Sequence, residues 1–297
     1  MTDAYSDFSL RPWDSAAWDP SPEAEAVPTM LSDEEGRLLT WLGGHWARGA
    51  GAACDLGCFA GGSTARLADG LVRGGIDASV HAFDFFTISP EHKQKFLHDR
   101  GVRRFWGTNL LPCAKRLLKP WRGRVTLHRE DLAKTRWTAG PIEILFIDAM
   151  KTPETADAIL RNFVPALVPG RSIIVHQDYQ HWRQPWIAAQ MVLLRPHLRP
   201  VAWCAQNTTV FAVDSLPDAA GLAAAATDGM TDARMTELLH QALWAAPAGP
   251  PRRMIAQSIL GLEDAPGCRV PFRFDRSGFT PKRIRRLLAT LDSGEVE

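Results

Sequence analysis

The stretch that decides the fold is Ala52-Ala-Cys-Asp-Leu-Gly-Cys-Phe-Ala-Gly-Gly-Ser-Thr64. Its apolar beginning predicts a short strand that ends on the acid Asp55. Three glycines in the turn that follows remove side chains that would keep the backbone away from a ligand. Ser63 and Thr64 can cap the next helix. The stretch therefore predicts a strand, a glycine loop and a helix that together can hold a nucleotide-like molecule.

The composition limits the kinds of partner. The chain has 297 residues, of which 45% are hydrophobic, which is enough for one large α/β core. A formal net charge of +1 gives no strong field toward nucleic acid or an anionic membrane, and no apolar run reaches the length of a membrane span. Residues 1–10 are acidic and polar rather than a basic region followed by an apolar one, so we expect no secretion signal. Five scattered cysteines without zinc-site spacing indicate reduced thiols. We expect a cytoplasmic protein with a small-molecule partner, without nucleic acid or membrane.

Apolar runs alternate with helical patterns along the chain. The runs that predict strands are 52–55, 78–83, 124–127, 142–147 and 172–175, followed by 201–204 and 209–213. Strands that alternate with helices imply right-handed crossovers and a parallel sheet covered on both faces. The predicted fold class is α/β, a Rossmann-like, doubly wound, mostly parallel sheet of seven strands that ends in an antiparallel hairpin.

Three segments are predicted. Residues 1–30 are rich in Pro, Asp and Trp without a sustained period, which indicates an extended arm whose tryptophans dock on the body; a lid over the active site is the alternative. Ser32 and Glu35 then form a capping box that begins the first long helix. The segments are an N-terminal arm (1–30), a main domain (31–213) and a C-terminal helical extension (214–297). The two terminal segments could also join copies of the chain.

Polar side chains stand at the carboxyl ends of five predicted strands. They are Asp55, Asp84, Glu130 with Asp131, Asp148, and His176 to Asp178. Ligands of open parallel sheets bind outside these strand ends. The pattern therefore predicts one binding site along this edge of the sheet.

Residues 50–213 resemble a class I S-adenosylmethionine-dependent methyltransferase. Asp55, Gly57 and Gly61 form an Asp-x-Gly-x-x-x-Gly loop similar to that family's first motif. The segments 146–151 (Phe-Ile-Asp-Ala-Met-Lys) and 173–179 (Ile-Ile-Val-His-Gln-Asp-Tyr) are similar to strand ends of its catechol O-methyltransferase-like and macrocin O-methyltransferase-like branches. The resemblance implies transfer of the methyl group of S-adenosylmethionine to a hydroxyl of a sugar, phenol or secondary metabolite.

The resemblance also implies a set of cofactor-binding residues. Asp84 would accept hydrogen bonds from both ribose hydroxyls, and Asp131 with Glu130 would hold the adenine amino group. Phe85 or Phe86 could stack on a cofactor ring, with core packing as the alternative. The full set is Asp55, Gly57, Cys58, Phe59, Gly61, Ser63, Thr64, Asp84, Phe85, Glu130, Asp131 and Asp148.

A hydroxyl acceptor needs a base or a metal to lower the cost of losing its proton. The catalytic candidates are Lys151, His176, His181 and Asp148. By the resemblance, Asp148, Gln177 and Asp178 could bind Mg²⁺ or Mn²⁺ through hard oxygen atoms. Here a His-Gln pair stands near the position where an acidic pair is usual.

Other functions stay open. A NAD-dependent oxidoreductase would also use a glycine turn, but the loop from Gly57 to Gly61 lacks the Gly-x-Gly-x-x-Gly spacing. A non-catalytic S-adenosylmethionine-binding subunit would bind the cofactor without methyl loss. An enzyme that uses the same cofactor in another reaction class would give a different product.

Overall fold

A seven-stranded sheet forms the centre of the computed structural model, which describes residues 4–204 and 207–292. The strands are β1 (Ala52–Leu56), β2 (Val80–Asp84), β3 (Val125–Arg129), β4 (Ile142–Ile147), β5 (Ile173–His176), β6 (Leu198–Trp203) and β7 (Thr209–Val213). Their order is β3-β2-β1-β4-β5-β7-β6. All neighbours are parallel except β7, which runs antiparallel to β5 and β6. The predicted α/β fold with its antiparallel end pair is confirmed.

Helices connect the strands and cover both faces of the sheet. The α-helices are α1 (Pro22–Glu25), α2 (Asp33–Trp41), α3 (Gly62–Arg73), α4 (Pro90–Phe96), α5 (Leu111–Leu117), α6 (Pro153–Phe163), α7 (Pro185–Leu193), α8 (Ala219–Ala224), α9 (Asp232–Ala245), α10 (Pro250–Asp264) and α11 (Pro281–Asp292). Short 3₁₀ turns lie at Ser6–Leu10, Pro12–Asp14, Ala16–Trp18, His98–Arg100, Lys119–Trp121, Val164–Ala166 and Pro271–Arg273, and a π turn at Leu42–Trp46. Within the described residues, no helix is long and apolar enough to cross a membrane.

The central strands β1 and β4 are buried along their whole length. Ile144 and Phe146 of β4 belong to the apolar cluster on the α2 and α3 face of the sheet, whereas Leu145 and Ile147 belong to the cluster on the α6 and α7 face. This alternation explains why β4 has an unbroken apolar sequence, since both of its faces are covered. The strand order reverses between β1 and β4, and a crevice opens at such a reversal.

The N-terminal segment docks on the α2 face through aromatic rings. The fully buried Trp13 lies with its ring centroid 6.1 Å from that of Phe8 and 5.4 Å from that of Trp41. The segment is not the extended arm that the sequence predicts, because it folds into three 3₁₀ turns and α1. Turns of this kind let closely spaced aromatic rings reach one side of the segment.

The C-terminal helices share an apolar cluster with α6 and α7. Leu239 of α9 and Ile255 of α10 are fully buried in the same cluster as Ile187 of α7. Asp157 of α6 accepts hydrogen bonds from the backbone N–H groups of Thr227 and Asp228, both at 2.8 Å. The division into three segments stays a prediction, and its residues 1–3 and 293–297 lie outside the described part of the chain.

Candidate functional site

The turn after β1 needs glycine because other chain segments press against it. Gly57 has φ +99° and Gly61 has φ +100°, both in the left-handed region. A Cβ at Gly57 would lie 2.6 Å from the Asp148 carbonyl oxygen, and one at Gly61 would lie 2.6 Å from Leu118 Cδ1. The loop therefore runs close to the end of β4. Its N–H groups are largely satisfied within the protein, since those of Gly57 and Cys58 donate to the Phe83 carbonyl and that of Gly61 donates to the Cys58 carbonyl.

Asp55 is a buried acid at the base of this loop. Its Oδ2 accepts hydrogen bonds from Ser63 Oγ at 2.7 Å and Thr64 Oγ1 at 2.5 Å, while Oδ1 is buried and has no partner among the described residues. Burial raises the pKa of Asp55 to about 6. The expected helix capping by Ser63 and Thr64 is wrong, because Asp55 binds their hydroxyls and Gly61 is the N-cap of α3.

Asp84 is held by two backbone N–H groups. Phe59 N donates to Oδ2 at 2.9 Å, and Phe86 N donates to Oδ1 at 2.6 Å. Phe59 and Phe86 have φ +51° and +52°, which is rare for residues with a side chain. Burial raises the pKa of Asp84 above its usual value, and the two N–H groups oppose this. The carboxylate at the end of β2 is thus fixed in orientation.

A cavity of about 410 Å³ lies along the strand ends. Its lining residues are Met30, Gly57, Phe59, Asp84, Phe85, Glu130, Asp131, Leu132, Asp148, Ala149, Lys151, Thr152 and Thr155. The ring of Phe85 is largely exposed here, whereas that of Phe86 is fully buried in the core. The cavity thus brings together candidates from the ends of β1, β2, β3 and β4.

Other predicted cofactor residues lie around this cavity. Thr135 Oγ1 donates to Glu130 Oε2 at 2.9 Å, and Ala133 N donates to Asp131 Oδ1 at 3.0 Å, so both acids are fixed by the turn that follows β3. Cys58 is buried, and burial raises the pKa of its thiol well above the usual value. The Cys58 side chain is therefore a neutral thiol that packs in the protein and not a reactive thiolate.

A second, smaller cavity of about 20 Å³ adjoins the glycine loop, and the N-terminal segment covers it. Pro28, Thr29, Met30 and Leu31 line it together with the loop, and Met30 lines both cavities. A Cβ at Gly62 would lie 2.5 Å from Thr29 Cβ. Residues 28–31 therefore lie next to the glycine loop, and the lid alternative for residues 1–30 stays a prediction.

Asp148, Lys151 and Asp178 form one ionic cluster at the ends of β4 and β5. Lys151 Nζ donates to Asp148 Oδ1 at 2.6 Å and also to Asp178 Oδ2. Gln184 Nε2 donates to the same Asp178 oxygen at 3.0 Å. The sequence analysis did not identify Gln184, because the loop after β5 has no pattern that predicts its path.

The pKa values within this cluster diverge. The side chain of Lys151 is half-exposed; its partial desolvation would lower its pKa, but the two carboxylates raise the pKa above its usual range, so the ammonium stays charged. Burial would raise the pKa of Asp178, but the Lys151 ammonium holds it below its usual value. Burial raises the pKa of Asp148 to about 7, opposed by Lys151 and supported by the charge of Asp178. Asp148 is therefore the group of the three that changes protonation near neutral pH.

The two histidine candidates have different surroundings. His176 is buried in the core with its Nε2 3.2 Å from Met150 Sδ, and burial lowers its pKa to about 3. His181 is partly exposed, and its Nδ1 accepts a hydrogen bond from Arg183 N at 3.3 Å. Burial lowers the pKa of His181, so the ring is neutral and carries its proton on Nε2. Neither environment favours a general base.

The predicted metal site does not fit a divalent cation. The Lys151 ammonium bridges the carboxylates of Asp148 and Asp178, which were two of its three expected ligands. The third, Gln177, is half-buried, and its backbone carbonyl accepts a hydrogen bond from Thr208. Among the residues that the structure describes, no group of three or more His, Cys, Asp or Glu could hold a metal.

Residues 54–179 match the protein family described as "Methyltransferase domain". The matched segment is less than half of the chain. It begins in β1, contains the glycine loop, and ends just after β5, so it spans the cavity-lining strand ends. No curated protein matches the chain in sequence.

Several solved methyltransferase structures are similar to this chain at low identity. The S-adenosylhomocysteine-bound methyltransferase PaMTH1 of Podospora anserina has 13% identity over 72% of this chain and 89% of that chain, with a TM-score of 0.41. The O-methyltransferase NovP has 16% identity over 56% and 72%, with a TM-score of 0.38. The 23S rRNA methyltransferase ErmE has 14% identity over 87% and 96%, with a TM-score of 0.36. At these scores the similarities carry no argument about the acceptor.

Proposed function

We propose that this protein is an S-adenosylmethionine-dependent methyltransferase that acts on a hydroxyl of a small molecule. The observation that carries the proposal is the placement of Gly57 and Phe59 of the glycine loop together with Asp84 around one cavity at the reversal of the strand order. The methyltransferase-domain match over residues 54–179 supports it. The small net charge favours a small-molecule acceptor over nucleic acid or a membrane, and we expect a cytoplasmic location.

The polar groups around the cavity suit S-adenosylmethionine. The orphaned Asp55 Oδ1 and the N–H groups at the start of α3 suit the charged ends of a methionine moiety. Asp84 retains acceptor capacity for two ribose hydroxyls beyond its two N–H partners. Phe85 offers an exposed ring face to the adenine, beside the acids of the β3 end. When bound, the cofactor would supply an electrophilic methyl group on a sulfonium, with S-adenosylhomocysteine as the leaving group.

The chain's own contribution to the transfer is position and proton removal. Asp148 lines both cavities, and its Oδ2 makes no hydrogen bond within the described residues, so it can accept the proton of an acceptor hydroxyl. Lys151 stays protonated and stabilises the negative charge that develops on the acceptor oxygen. We therefore assign the base to Asp148 and the electrostatic role to Lys151. The methylated product then leaves the site, and the proton stays on Asp148.

Calorimetric titration with S-adenosylhomocysteine tests the cofactor site. We expect saturable binding to the wild-type protein and much weaker binding to Asp84→Ala. No binding at millimolar ligand would contradict the proposal. Binding of NADH instead would favour the oxidoreductase alternative.

Incubation with S-adenosylmethionine and a panel of phenols and sugars then tests the reaction. Formation of S-adenosylhomocysteine that depends on an added acceptor supports methyl transfer. Binding without turnover over a broad panel would favour the non-catalytic subunit. A different cofactor product would indicate another reaction class.

A further inference from the structure

The ends of β4 and β5 bring two carboxylates to one cation. Asp148 follows β4 directly, and Asp178 follows β5, which pairs in parallel with β4. Like charges at such neighbouring strand ends repel each other, so the arrangement needs a positive charge between them. Lys151 Nζ supplies it, with hydrogen bonds to both carboxylates.

The lysine is fixed from both sides. Its backbone N–H donates to the Ala149 carbonyl at 2.8 Å, which forms a tight turn between β4 and α6. On the other side, Gln184 Nε2 anchors the Asp178 oxygen that the ammonium contacts. Because Asp178 and Gln184 are almost fully buried, this half of the cluster has little freedom to rearrange.

The ammonium also faces the cavity. Lys151 lines the larger cavity, and its side chain is 51% exposed. An ammonium has three N–H donors, and two of them are used by the carboxylates. The third is left for an acceptor oxygen. This arrangement supplies at one point the charge neutralisation and the oxygen contact that a divalent cation would supply.

We propose that the Lys151 ammonium is the resident cation of this site and takes the place of a divalent metal between Asp148 and Asp178. The proposal rests on the proposed function for the role of the acceptor oxygen. Which cation lies between the two carboxylates can be measured without enzymatic turnover. Replacing the ammonium by a small apolar side chain should leave two adjacent carboxylates that bind Mn²⁺.

The experiment measures Mn²⁺ binding by electron paramagnetic resonance and calorimetry in the full-length protein. We expect the wild type to bind Mn²⁺ no better than a surface carboxylate pair, and Lys151→Ala to bind it at least about tenfold more tightly. The matched control is Arg283→Ala, because Arg283 also bridges two acids, Glu263 and Asp264, at 2.9 Å on the surface. That variant measures what two exposed carboxylates bind by themselves.

Two results would overturn the proposal. One is Mn²⁺ binding to the wild type that is lost in Asp178→Asn, which would mean that metal and lysine share the site. The other is a folded Lys151→Ala that binds Mn²⁺ no better than Arg283→Ala. If Lys151→Ala does not fold, the wild type and Asp178→Asn still decide the question. A protein that binds S-adenosylhomocysteine but transfers no methyl group would contradict the proposed function and leave the Mn²⁺ result unaffected.

Discussion

The backbone N–H of Phe59 donates a hydrogen bond of 2.9 Å to Asp84 Oδ2, although Phe59 lies in the turn after β1 and Asp84 is the last residue of β2. Phe59 adopts a left-handed conformation to make this contact. The glycine loop after β1 and the acid at the end of β2 are therefore one unit. A change in either should alter the binding of the same ligand.

Asp84→Asn should weaken the binding of S-adenosylhomocysteine by about tenfold to a hundredfold. A hydrogen bond to a charged group contributes about 1.5–3 kcal/mol, and the amide NH₂ would face a backbone N–H. Calorimetry measures the effect. Asp77→Asn changes a fully exposed acid outside the cavity and should leave the affinity unchanged. Equal affinity of both variants would mean that Asp84 does not contact the ligand.

Gly62→Ala should destabilise the protein and weaken cofactor binding together. Its Cβ would lie 2.5 Å from Thr29 Cβ and 2.7 Å from the Pro28 carbonyl oxygen, so the segment that covers the small cavity must move. We expect a loss of about 1–3 kcal/mol and a fall in Tm of several degrees. In Gly123→Ala the new methyl group would meet nothing within 4 Å, so this variant serves as the control. A Gly62→Ala variant with wild-type affinity would show that the covering segment is not coupled to the site.

The rate of methyl transfer should rise with pH and level off above about 7. Burial raises the pKa of Asp148 to about 7, and only its ionised form can accept a proton. Below this pKa the rate should fall about tenfold per pH unit, and Asp148→Asn should remove most of the activity. The measurement is kcat against pH. Burial lowers the pKa of His181. If the fall in kcat occurs below pH 6.5 and disappears in His181→Gln, the base is His181 instead.

His176 should make the folded state sensitive to acid. Burial lowers its pKa from 6.5 to about 3, so between these values the unfolded chain binds a proton that the folded chain does not. Stability is therefore lost as pH falls through this window, by about 1.4 kcal/mol per unit for a single group. Urea denaturation at several pH values should show a shallower acid loss for His176→Leu than for the wild type. His92→Leu, at an exposed position of α4, should follow the wild type.

Periodicity and strand-end acids were enough to predict the sheet. Strand β4 and strand β7 have the predicted limits, because a buried strand needs an unbroken apolar run. Strand β6 begins at Leu198 rather than 201, since Pro200 obscured the start of the run. Asp84, Glu130, Asp131 and Asp148 line one cavity because parallel strands bring their carboxyl ends to one edge of the sheet. The buried Asp55 and Asp178 are not among its lining residues.

The contacts across that edge could not be predicted. The contact between Lys151 and Asp178 depends on the register between β4 and β5. Whether Met30 lines the cavity depends on where the N-terminal segment docks. The left-handed conformations of Phe59 and Phe86 could not be predicted either, because only a glycine in the sequence indicates a left-handed backbone. These contacts join residues that are distant in sequence, so they follow only from the complete fold.

The loop after β5 packs against the C-terminal region, and this contact limits how the loop can be engineered. The Trp182 ring lies 4.8 Å from the Phe279 ring and 6.4 Å from the Phe274 ring, and the Arg276 guanidinium lies 5.0 Å from its centroid. A loop grafted here from another enzyme would lose these partners. A chimera that aims to change the acceptor should therefore carry the loop and the residues around 274–279 as one cassette.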